Sequence, residues 1–358
     1  MTTISVSGLS SGADMAAQLL VAHSSLFIGG AIFAGQAWHC AIQRFPEDAL
    51  LPLAASPSVP VCDGCPENKT LTYDHCKKAP IDQAVARNVS LLLAKAKAEA
   101  AASTIDPLER LSSQRIFLYR GLEDKTYNKG AVRGTAEFFS HFTPSVQFVT
   151  HVHSGHLLPA IEPYLCFWQE WSGPDNCTYD GAGAALRWVH GEAALAGGRD
   201  NDTEALSRAL RPFDQRRFFP AGADPLLDDD GLVYVPSQCE GRTGCAVHMF
   251  LHGCGVDEAW YNRTNFEVYA EFSGLNNCAP SLLIRPSPFT RTLTRVPHRL
   301  GRGRPEPVDR GLSEDVDARR VHAAAVRMLG RVRADWPCVR SQGGPSDADA
   351  RTDRSALR

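Results

Sequence analysis

Near the start of the chain lies Gly8-Leu9-Ser10-Ser11-Gly12, a G-x-S-x-G pattern. A serine hydroxyl becomes a usable nucleophile when a strained strand-to-helix turn lifts it clear of a sheet. The flanking glycines let strand and helix approach without a Cβ clash, and the N-terminus of the following helix favours developing negative charge. Such a serine needs a base and an acid to orient that base. Asp124, in Leu118-Tyr119-Arg120-Gly121-Leu122-Glu123-Asp124, and His156, in Ser154-Gly155-His156-Leu157-Leu158-Pro159, follow it in the order Ser, Asp, His, an order that suits a nucleophile, acid and base relay. Each motif also has a plainer reading. The first is a Gly/Ser turn, Asp124 a solvated loop acid with Glu123 as its rival, and His151, His153 and His156 a metal-binding cluster that lacks a matching carboxylate.

Three stretches far apart in sequence must therefore end at one edge of a sheet. Residues 4–7 alternate in polarity and read as a strand. The spacing of Met15, Leu19 and Leu20 predicts a helix over 14–23, and the small apolar run 27–33 a buried strand. Residues 46–80, rich in Pro and Cys, read as a loop excursion, and 81–102, rich in Ala, Leu and Lys, as a helix. A strand at 115–119, a helix at 131–141 and a strand at 145–152 follow, the first and last running directly into Asp124 and His156. The alternation of strand and helix predicts a mostly parallel α/β sheet with helices on both faces. Further strands are expected at 232–236 and 246–251, with helix and connecting loop over 181–225. His252-Gly253-Cys254-Gly255, after the last of these, resembles a backbone oxyanion loop, with a Gly turn carrying a disulfide Cys as the alternative.

The 358 residues suffice for one large α/β domain or two smaller ones. No run of 18 apolar residues predicts a membrane span. A formal net charge of −3 gives no reason to expect a nucleic-acid partner. The 11 Cys all follow residue 39, and Cys62/Cys65, Cys166/Cys177 and Cys239/Cys245 stand at spacings that read as disulfides in an oxidising compartment. The Cys62–Cys65 CxxC would alternatively suit zinc, but no second CxxC accompanies it. The first residues show no basic and apolar leader. The cysteine load argues for export and the N-terminus against it.

Together the segments at 6–12, Phe33-Ala34-Gly35, Cys40-Ala41, 121–124, Gly155-His156, Cys177-Thr178-Tyr179-Asp180, 181–183, 234–239 and 251–255 resemble, in order, the polyhydroxybutyrate (PHB) depolymerase family of circularly permuted α/β-hydrolases. The resemblance spans residues 4 to about 278. It implies a secreted ester hydrolase acting on poly(3-hydroxybutyrate) or its oligomers. Ser10 would be the nucleophile, Asp124 the acid and His156 the base, with the backbone N–H groups of Ser11 and Cys254 as oxyanion donors. No metal or organic cofactor is implied. The partner is a polyester or small ester substrate, the location extracellular or periplasmic, and the oligomeric state is left open.

Two features depart from that family. Its lead-in before the nucleophile strand is missing here, and so is its Trp-rich stretch after the oxyanion loop. From Arg285 onward the chain instead has 16 Arg, no Lys and 9 acidic residues. A reading-frame shift in a GC-rich gene would produce such a change, and a genuine basic tail is the alternative. The expected division is a catalytic domain over 1–280 and an Arg/Pro-rich tail, poorly ordered or aberrant, over 281–358. Two other functions stay open, a general carboxylesterase of the feruloyl or acetylxylan type and an inactive polymer-binding remnant.

Overall fold

In a sheet covered on both faces, successive side chains must enter two different cores, and this chain supplies them strand by strand. The computed structural model describes residues 3–40, 83–161, 179–195, 210–218, 230–236, 245–253 and 279–286, with single positions at 202, 206, 239, 266 and 269. Strand β1 (Ile4–Leu9) sends Ile4 and Val6 into one core and Ser5 and Ser7 toward the other face. β2 (Gly29–Phe33) divides Ile32 from Ala31 and Phe33, and β3 (Arg115–Tyr119) divides Ile116 and Leu118 from Phe117 and Tyr119. β4 (Val146–Val149) completes this half of the sheet. Helices α1 (Ser11–Ala22), α2 (Gln83–Ala101) and α3 (Lys129–Ser140) cover the first face. α4 (Gly181–His190) covers the second with Ala182, Ala185 and Leu186. Phe117, Phe138 and Phe139 are fully buried, and truncating any one to Ala would cost about 3–5 kcal/mol.

The other half of the sheet comes from β5 (Arg211–Asp214), β6 (Asp230–Tyr234), β7 (Cys245–Leu251) and β8 (Ala279–Pro286). The spatial order is β4-β3-β2-β1-β7-β8-β6-β5. Pairing is parallel from β4 through β8, while β6 is antiparallel to both β8 and β5. The expected mostly parallel α/β sheet is thus observed. The helix after the G-x-S-x-G motif begins at Ser11, three residues earlier than its apolar spacing suggested, because the turn itself is the first helical turn. β5 lies inside the stretch read as helix and loop, and β8 runs across residue 280. Residues 287–358, which hold most of the Arg-rich tail, and Cys62, Cys65, Cys166, Cys177 and Cys254 lie outside the described residues.

Register decides where chemistry can occur. Leu9 pairs with Phe33, Phe33 with Tyr119, Tyr119 with Val149, and Gly8 with Leu251. The C-terminal ends of five parallel strands therefore lie level. The turns that follow them, carrying Ser10, Ala34, Asp124, His156 and His252, leave from one edge, where parallel sheets place their sites.

Candidate active site

Ser10 follows directly from β1. Its backbone is at φ 58° and ψ −123°, a region that costs a non-glycine residue about 1–3 kcal/mol and persists where surrounding structure imposes it. The Ser10 N–H donates to Phe33 O at 3.0 Å, and Ser10 O accepts from Asp14 N at 2.9 Å, so the turn is held from β2 and from within α1. Although Ser10 occupies the N-cap, its hydroxyl makes no capping bond. A Cβ at Gly8 would strike the Gly12 carbonyl, and one at Gly12 would strike the carbonyls of Leu251 and His252. The glycines of the motif thus allow two close approaches, helix on strand and helix on the loop after β7. In that loop Gly253 lies against the serine, since a Cβ there would sit 3.0 Å from Ser10 Cβ and 3.7 Å from its Oγ. Ser11 is the first residue of α1. Cys254, the second expected oxyanion donor, falls beyond the described residues.

The loops after β3 and β4 run side by side as an irregular continuation of the sheet. Arg120 N donates to Val149 O (3.0 Å), Leu122 N to Val152 O (2.9 Å) and Glu123 N to Ser154 O (3.0 Å). This stitching brings His156 Nδ1 to 2.9 Å from Asp124 Oδ2. The other oxygen, Oδ1, accepts from Thr126 N and Tyr127 N at 2.8 Å each. The carboxylate is sealed from water, whereas the imidazole keeps 11 % exposure, so the pair is buried at its acid end and open at its base end. Glu123 is turned away and faces His153 at 3.5 Å. His151 packs edge-on against Tyr179. The three histidines of the possible metal cluster thus go to three different partners, and no cluster of metal-ligating side chains occurs among the described residues.

Residues the sequence reading did not single out hold this pair. The Arg120 guanidinium, 9 % exposed, donates to the carbonyls of Tyr127 (2.9 Å), Gly121 (2.8 Å), Leu122 (3.3 Å) and Asp124 (2.6 Å), bracing the whole acid loop. Burial draws its pKa below the ordinary value, and the carboxylates of Asp124 and Glu123 pull the other way. Tyr119 OH and Ser154 Oγ lie 2.5 Å apart under the base loop, and burial pushes the Tyr119 phenol well above its usual range. Tyr127 lies flat against His156, with ring centroids 5.3 Å apart and planes 2° from parallel. Asp14, 1 % exposed, was an available clue. An acid on the inward face of an otherwise apolar helix is a buried charge that needs dedicated partners.

Elsewhere, Cys239 and Cys245 form the expected disulfide, and Cys40 is also disulfide-bonded. No helix among the described residues is long and apolar enough to cross a membrane.

No protein-family model matches the chain. A "Polyhydroxybutyrate depolymerase" of Talaromyces funiculosus is 28% identical over 295 residues, covering 76% of this chain and 72% of that protein. A "Poly(3-hydroxybutyrate) depolymerase" of Delftia acidovorans is 25% identical over 286 residues, and the match spans about half (51%) of its length. Among solved structures, a PHB depolymerase from Penicillium funiculosum superposes with a TM-score of 0.59 at 25% identity, over 80% of this chain and 79% of that one. A serine-to-alanine PHB depolymerase complexed with an R3HB trimer matches with a TM-score of 0.58 at 24% identity, over the same shares of the two chains.

Proposed function

This chain is a relative of the PHB depolymerases and, with them, a carboxylic ester hydrolase, and we propose that it cleaves poly(3-hydroxybutyrate) or its oligomers through Ser10, His156 and Asp124. The observation that carries the assignment is the 2.9 Å contact between His156 Nδ1 and a fully buried Asp124. It leaves imidazole Nε2 to act on a serine whose hydroxyl is not spent on capping its helix.

In this scheme Nε2 of His156 takes the Ser10 proton as Oγ bonds to the ester carbonyl carbon. Asp124 holds the Nδ1 proton and balances the imidazolium charge. The tetrahedral oxyanion accepts backbone N–H bonds from Ser11 and Cys254, each worth on the order of a hundredfold or more in rate. Collapse breaks the bond to the alcohol oxygen, which leaves with the proton from His156. Water, activated by the same imidazole, then hydrolyses the acyl-Ser10 ester.

The sheet order supports a circular permutation, because β1 lies among strands that come from both ends of the chain. We take residues 1–280 as the catalytic unit, with β8 continuing its sheet to Pro286. The disulfides favour an extracellular or periplasmic location.

Hydrolysis of p-nitrophenyl butyrate by the wild type, lost in Ser10→Ala, is the expected result. Turnover that survives Ser10→Ala would remove the nucleophile assignment. Clearing of a PHB suspension, or release of monomer from hydroxybutyrate oligomers, separates a depolymerase from a general carboxylesterase.

A further inference from the structure

We propose that Tyr127 is a positioning residue for His156, and that Asp14 anchors it to the nucleophile helix. This inference rests on the triad reading above and extends it.

A single hydrogen bond at Nδ1 fixes one point of an imidazole and leaves its plane free to swing about that bond. The Tyr127 ring supplies the missing constraint by lying parallel to His156 at 5.3 Å, within the range of an offset stack. Tyr127 is itself held at three places. Its ring is fully buried beside Ala34, Ala131 and Val132. Its N–H donates to Asp124 Oδ1 at 2.8 Å. Its hydroxyl donates to Asp14 Oδ2 at 2.6 Å.

Asp14 lies one turn after Ser10 on α1, and its carboxylate also accepts from Gln36 N at 2.8 Å and Gln36 Nε2 at 2.9 Å. The Asp14 carboxylate takes no part in the proposed chemistry. Its position explains its burial, since it ties the helix that presents the nucleophile to the loop that presents the acid. Tyr127 thus contacts the base through its ring, the acid through its backbone and the nucleophile helix through its hydroxyl.

Removing the ring should allow misaligned imidazole orientations. Removing only the hydroxyl should loosen the tie to α1 and keep the stack.

The test compares Tyr127→Phe and Tyr127→Leu in the full chain, with kcat and KM for p-nitrophenyl butyrate measured from pH 5 to 9 beside thermal melting. Tyr127→Leu is expected to lose about a hundredfold in kcat, the scale of a 1 Å misplacement, with KM changed less than about twofold. Tyr127→Phe is expected to lose about three- to tenfold in kcat, also with little change in KM. A residue that only fills space would lower Tm in both variants and leave the kcat of the folded fraction at the wild-type value, and that result overturns the proposal. Should Tyr127→Leu not fold, wild-type kcat in folded Tyr127→Phe overturns the Asp14 anchor by itself. Ser10→Ala is run in parallel. Activity that persists there sinks the triad reading, whereas an inactive Ser10→Ala beside unaffected Tyr127 variants sinks only the positioning role.

Discussion

Replacing Asp124 with asparagine should change the tautomer of His156 while leaving the loop around it in place. Oδ1 of Asp124 accepts two backbone N–H bonds at 2.8 Å, from Thr126 and Tyr127. An amide keeps both by placing its carbonyl oxygen there, which turns its NH₂ toward His156 Nδ1. That nitrogen must then accept a hydrogen bond, so the imidazole proton sits on Nε2, where the Ser10 proton would have to go. The base is blocked by the hydrogen-bond arithmetic of a fixed loop, with no change of shape. Loss of the correct tautomer in a Ser-His-Asp site costs on the order of 10⁴ in kcat, about 5 kcal/mol of transition-state stabilisation. Stability should change little, because Arg120 braces the loop through carbonyls that the substitution does not touch. The assay is p-nitrophenyl butyrate hydrolysis over pH 5–9, with a thermal melt as control. Asp124→Asn that retains a tenth or more of wild-type kcat with an unaltered pH profile would refute the reasoning. So would a collapse in Tm matching the loss of activity, since the defect would then lie in folding.

Other expectations follow from single features. Ser10→Gly abolishes turnover but relieves the φ 58° strain, so its Tm should exceed that of Ser10→Ala by about 2 °C, the equivalent of roughly 1 kcal/mol; equal melting temperatures would show that the turn is not strained. Gly12→Ala drives a methyl into the carbonyls of Leu251 and His252, and should destabilise by about 1–3 kcal/mol while lowering kcat; melting and activity at wild-type values would contradict the close approach. His190 is half-buried, with its Nε2 2.8 Å from Ser5 Oγ, which also meets His248 Nδ1 at 2.8 Å. Burial first, and the Arg115 charge second, depress its pKa to about 4. Because the unfolded chain binds this proton near pH 6.5 and the folded one only near 4, its stabilising contribution is full above pH 6.5 and is lost as the pH falls through that window, on the order of 3 kcal/mol in all. Urea midpoints at pH 7 and pH 5 should therefore differ less in His190→Gln than in wild type, and parallel losses in the two proteins would show that His190 does not titrate in that window.

Sequence by itself determined the local elements and pointed to the chemistry proposed here. Strand β3 was legible residue for residue, and β1, α2 and β7 nearly so, because period and turn signals act over a few neighbouring residues. The placement of Ser10, Asp124 and His156 just after strands was legible for the same reason. Tertiary structure alone decided which acid meets which histidine. Asp124 and Glu123 are neighbours in sequence, yet the stitching of two parallel strand ends sends one to His156 and the other to His153. It alone revealed Tyr127 and Asp14 as a pair, because their 113-residue separation is closed only when α1 packs beside the loop after β3. β5 and β8 escaped notice because a strand at the far side of a sheet owes its form to the neighbour it pairs with, and that neighbour is chosen by the fold.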